Sequence, residues 1–93
     1  MNKIYEFANI LTEMEELYVK KNADYGDSFG KSFKEYGAMM ACIRLEDKLN
    51  RFKSLVKNGE CKVKEESLID TLIDLANYSV MTIIEIQNTG ENN

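Results

Sequence analysis

The chain has no histidine, no proline, only two cysteines and no surplus of positive charge, and each shortage closes off a class of fold or function. Without imidazole there is no His-containing zinc site, no Ser-His or Cys-His nucleophile pair and no imidazole acid-base catalyst. Carboxylates would have to hold any metal. Cys42 falls in an apolar helical seam and reads as a packing residue, whereas Cys61 lies in a charged loop with no partner at motif spacing. This pair suits a reducing cytosol better than a disulfide framework. The 12 Lys and Arg against 16 Asp and Glu give a formal charge of −4, which disfavours extended nucleic-acid binding and leaves phosphate affinity to local clusters. No signal peptide and no long apolar run suggest export or insertion, so a cytoplasmic protein without membrane association is expected.

At 93 residues the chain makes a single domain, 1–93, large enough for a modest core and small enough to gain from a partner surface. A homo-oligomer is therefore expected. Helical apolar spacing over most of the length predicts an all-α fold, with three main antiparallel helices in a small bundle completed by oligomerisation. The first is expected at about 3–21, where Ile4, Phe7, Leu11, Met14 and Tyr18 recur at three- and four-residue steps. The second is expected at about 36–57, where Cys42, Leu45, Leu49, Phe52 and Val56 are spaced like a coiled-coil seam. The third, at about 65–87, opens with acids that complement the helix dipole; its apolar side is wider than one neighbour requires, marking a central helix or a subunit contact. The short polar link around Asn58-Gly59 suits an antiparallel pair, which would bring Arg51 and Asp70 to one level. Residues 22–30 are expected as a functional loop, Lys31 to Glu35 as a short extra helix, and Asn88 to Asn93 as a frayed tail.

Three polar groups carry the candidate chemistry. Around the loop stand Lys21, Asn22, Asp24, Tyr25, Asp27, Ser28 and Phe29. Asp24, Asp27 and Ser28 can cap a helix or hold a cation, Tyr25 and Phe29 can stack on a base, and Gly26 permits a bend that a side chain would resist. On the second helix Arg44, Asp47, Lys48 and Arg51 share one side, offering phosphate a planar fork and a point charge, or pairing with acids across a helix interface. On the third, Glu66, Asp70, Asp74 and Asn77 step by four, four and three and fall within an arc of about 80°. Such a ridge can hold Mg²⁺ or form a solvated acidic edge. Asp74 sits amid Leu72, Ile73, Leu75 and Ala76 and so needs a partner. Tyr78 joins Asn77 in the candidate ligand-binding set, and no glycine forms a phosphate-cradling fingerprint.

The blocks Lys21-Asn22-Ala23-Asp24-Tyr25-Gly26-Asp27-Ser28-Phe29, Ile43 to Arg51 and Glu66 to Tyr78, in that order, resemble the nucleotide-modification-associated domain family, first type. These are small helical proteins frequent in bacteriophages, and the resemblance implies an association with modified nucleotides. More distantly the chain is similar to MazG-type nucleotide pyrophosphohydrolases, in which facing helices carry a Glu-Glu-x-x-Glu and a Glu-x-x-Asp set that hold Mg²⁺. Here Asn50 stands where the third acid would be, Lys48 lies inside the first set, and Thr71 precedes Asp74 by three. Losing a ligand and gaining cations favours holding phosphate over hydrolysing it. The leading expectation is capture of a nucleotide-derived small molecule, with no cofactor required. Its most specific form is sequestration of a bacterial defence signal, in the host cytosol if the chain is phage-encoded. Next stands a Mg²⁺-dependent pyrophosphohydrolase or nucleotide-modification accessory enzyme with the metal on Glu66, Asp70 and Asp74, and then a protein-interaction subunit. No catalytic residue is assigned.

Overall fold

The computed structural model describes residues 2–59 and 63–91. It is all-helical, with α1 (Lys3–Tyr25), α2 (Ser28–Tyr36), α3 (Ala38–Asn58) and α4 (Val63–Glu91). The described residues form the three long helices and a fourth, α2, which holds the short helix expected at Lys31 to Glu35 and extends it at both ends; most of the stretch expected as a loop is helix as well. α1 runs on to Tyr25, and α2 starts at Ser28. The reason lies in Asp27, whose carboxylate accepts the Gly30 N–H at 3.2 Å and so caps the start of α2. A Cβ at Gly30 would strike the Asp27 carboxylate, so a side chain there would displace the cap. Helix α4 continues through Asn88 to Glu91, and Asn92 and Asn93, the rest of the expected frayed tail, lie outside the described residues. Cys61 lies outside the described residues.

Glycines set the two sharp corners. Gly26 has φ 63 and ψ −160, and Gly37 has φ 77 and ψ −168, a region of backbone space essentially confined to glycine. An added Cβ at Gly26 would meet no atom within 4 Å, so its cost is conformational alone. Gly26→Ala is expected to lower the unfolding free energy by about 1–2 kcal/mol, measured from the urea midpoint at constant slope.

Helix α4 is the element on which α1, α2 and α3 all pack, with α3 its most extensive neighbour. Along α3 and α4 the contacts run in opposite senses: Arg51 Nε donates to Thr71 Oγ1 at 3.3 Å and Lys48 pairs with Asp74 at 3.1 Å. Arg51 therefore stands beside the level of Asp70, as the short connection requires. The covered side of α3 is Ala41, Leu45, Lys48, Phe52 and Leu55. Cys42, Leu49 and Val56 are exposed, which corrects the expected seam and the packing role given to Cys42. Lys48 explains the shift. Its ion pair with Asp74 places a cation in the stripe that an apolar pattern would leave out.

The buried core consists of Phe29, Phe33 and Ala41, with Met40, Tyr78 and Met81 packed against it. Thr71 is buried too, its hydroxyl donating to the Ser67 carbonyl at 2.7 Å while accepting from Arg51. Only the second half of the α1 seam is covered. Met14 and Tyr18 are half-buried, but Ile4 and Phe7 remain 77% and 67% exposed and Leu11 is exposed as well. By length and composition α4 could cross a membrane over Glu65–Thr89, yet here it is the helix on which the others pack.

Candidate functional site

A cavity of about 300 Å³ opens where the end of α1, the start of α2, the second turn of α3 and the middle of α4 meet. That volume lies at the lower end of the range for small-molecule sites. Helix α1 contributes Tyr18, Lys21, Asn22 and Tyr25, because a step of three or four residues keeps these on one face. The corner and α2 contribute Gly26, Asp27, Ser28, Phe29 and Ser32; α3 contributes Arg44; and α4 contributes Asp74, Asn77, Tyr78 and Met81.

Two ties fix the walls. Asn77 Nδ2 donates to the Met14 carbonyl at 3.2 Å, and Asp74 accepts Lys21 at 3.5 Å on one oxygen and Lys48 at 3.1 Å on the other. Asp74 therefore holds α1 and α3 to α4 at once, which answers its need for a partner amid apolar neighbours. Lys21 is more than half exposed, so its pair contributes little stability, while the Lys48 pair is better shielded. On the floor, the Phe29 ring stacks on Tyr78 at a centroid distance of 5.8 Å and lies 6.5 Å from Phe33. Phe29 is thus a core residue whose edge reaches the cavity. Tyr25 is different: it lines the cavity yet is 72% exposed, leaving its ring free to stack on a guest.

Charge in the wall is unevenly paired. Asp74 is shared by two lysines and Asp27 is engaged in capping, whereas Arg44 has no carboxylate partner among the described residues. The wall thus balances Lys21 and Arg44 against Asp27 and Asp74, with the Arg44 guanidinium the cation that no carboxylate engages among the described residues. Neither cavity serine, Ser28 nor Ser32, has a side-chain hydrogen bond among the described residues.

Of the residues singled out from sequence, Lys21, Asn22, Tyr25, Asp27, Ser28, Phe29, Arg44, Asp74, Asn77 and Tyr78 come together around this cavity. Lys48 stands behind it through Asp74, and Arg51 is turned away to Thr71. Asp24, Asp47, Glu66 and Asp70 are exposed and lie outside the wall. Among the described residues no group of three acidic or sulfur side chains is placed to hold a metal ion; Glu66 and Asp70 are exposed, and Asp74 is paired with two lysines. Tyr18, Ser32 and Met81 also line the cavity and were not expected. Helical spacing would have found them: Tyr18 precedes Lys21 by three, Ser32 follows Ser28 by four and Met81 follows Tyr78 by three.

Residues 21–86 match the family described as nucleotide modification associated domain 1, and this span holds every lining residue of the cavity except Tyr18. The chain belongs to that family. No curated protein and no solved structure matches it.

Proposed function

We propose that this member of the nucleotide modification associated domain 1 family captures a nucleotide-type small molecule in the cavity and releases it unchanged. Tyr25 would lie against the base, Arg44 and Lys21 against phosphate oxygens, and Asn22, Ser28 and Ser32 would bond the polar edges of the guest. The observation that carries this reading is the unpaired Arg44 guanidinium in the same cavity wall as the exposed Tyr25 ring. An arginine fork is matched to phosphate geometry, and an aromatic face accepts any base. In its most specific form the function is sequestration of a nucleotide signal used in bacterial defence. The finer architecture belongs to the same reading: an antiparallel bundle completed by a second copy of the chain.

A thermal-shift panel of nucleoside mono-, di- and triphosphates and cyclic dinucleotides, with and without Mg²⁺, tests it. Stabilisation by at least one ligand, recovered intact by mass spectrometry after heat release, is expected. Mg²⁺-dependent appearance of pyrophosphate or monophosphate would establish a hydrolase instead. Asp74→Asn separates the two further, because removing a negative charge and freeing two lysines should leave phosphate affinity unchanged or raise it several-fold. The same change should reduce stability by about 1–2 kcal/mol, because the Lys21 pair is exposed but the Lys48 pair is partly shielded. Weaker ligand binding in a folded Asp74→Asn protein, by calorimetric titration, would count against capture by Lys21 and Arg44.

A further inference from the structure

A single chain leaves too much surface open for a domain of its size. Its radius of gyration is 15.1 Å, with extents of 47 × 29 × 24 Å, against about 12 Å for a compact domain of this length. Its accessible surface is 7391 Å², against roughly 5,500 Å² for a folded monomer of 10.7 kDa. The excess, roughly 1,900 Å² per chain, is in the range that subunits of obligate oligomers bury, about 1,000 Å² or more on each side.

The open surface is apolar along α3, at Met39, Ile43, Leu49 and Val56, and in two further places. On α1 the seam that packs on α4 through its second half continues uncovered at Ile4, Phe7 and Leu11, which line an open apolar groove. On α4, Ile69, Val80 and Ile83 are exposed, and at about 100° per residue they fall on the side opposite Thr71, Asp74 and Tyr78. Between Glu66 and Glu85 the only charges on α4 are Asp70 and Asp74, and Asp74 is turned inward. A helix face with so little charge over so many turns is built for contact rather than for water.

The chemistry of the partner can be narrowed. Helices that lie on lipid carry Lys and Arg beside the apolar face, but after Lys64 the chain has neither, and its net charge of −4 is repelled by anionic headgroups. A second copy supplies both missing surfaces at once, since a two-fold axis sets each element against its complement reciprocally. We propose that a second copy of the chain covers this face, with the N-terminal half of α1 in one copy lying against the outer ridge of α4 in the other.

Native mass spectrometry and sedimentation equilibrium of the full chain at tens of micromolar are expected to give at least twice the 10.7 kDa monomer mass. Phe7→Glu and Val80→Glu should each lower that mass to a single chain while helical circular dichroism persists, and Met39→Glu, exposed on α3, should leave the oligomer intact. A monomeric wild type, or an oligomer that survives both folded glutamate variants, would overturn the proposal. So would a monomer that floats with anionic vesicles. If the variants fail to fold, hydroxyl-radical footprinting of the wild type decides. Phe7 should be labelled far less than Tyr36, although the two are equally exposed in a single chain, and equal labelling would refute the interface.

Discussion

Phe29→Ala is expected to remove about 3–4 kcal/mol of stability, the range for truncating a buried phenylalanine. Its ring is one of three buried apolar side chains and contacts both Phe33 and Tyr78, so it joins α2 to α4. The cost is amplified by scarcity. A domain of this length has on the order of 5–14 kcal/mol in total, and little other core stands ready to collapse around the void. Urea unfolding followed by circular dichroism should show a midpoint lowered by about a fifth or more, and a loss below about 1 kcal/mol would mean the α2 contact is not part of the cooperative core. Phe29→Leu keeps most of the buried volume and should cost less than about half as much. Because Phe29 also reaches the cavity, the alanine variant should lose its ligand-induced thermal shift at temperatures where α1 and α4 are still helical, separating collapse of the site from collapse of the chain.

Why this residue was legible only in part follows from how helices announce themselves. Long apolar periodicity marked α1, α3 and α4, since a 3.6-residue repeat over 20 residues or more has no competing explanation. Of the nine residues of α2, Lys31 to Glu35 were expected as a short helix, but its start was hidden. Its start is built from Asp27, Ser28 and Gly30, residue types that serve equally in a turn, and only the capping bond of Asp27 to Gly30 decides between them. The α3 seam was misread for a related reason: Lys48 fills an inward position that pattern reading reserves for apolar side chains. What licenses it is Asp74 on another helix, a tertiary fact invisible in either segment alone. Convergence of the Tyr-Gly-Asp corner with Arg44, Asp74 and Asn77 was readable from sequence because each group sits on one helical face and the short connection fixes the α3 to α4 register. The same arithmetic could not tell which cations point into the space and which are spent elsewhere.

That distinction gives the binding prediction of largest size. Arg44→Ala should weaken affinity for the responding nucleotide by about 30- to 100-fold, or about 2–3 kcal/mol, the range for removing one partner of a desolvated charged hydrogen bond. Stability should barely move, within about 0.5 kcal/mol, because Arg44 is exposed and has no ion pair among the described residues. Arg44→Lys keeps the charge but loses the two-pronged geometry, so it should recover only part of the affinity, and the recovered part should fall more steeply with added salt. Arg51 is the internal control. It lies two turns along the same side of α3 and by sequence has an equal claim on phosphate, yet its Nε is committed to Thr71 and it does not line the cavity. Arg51→Ala should therefore change the dissociation constant less than about threefold while removing the hydrogen bond to buried Thr71, at about 1 kcal/mol of stability. Calorimetric titration and urea unfolding of both variants form a crossed test. If Arg51→Ala loses affinity and Arg44→Ala does not, the guest sits further along α3, outside the aromatic-walled cavity.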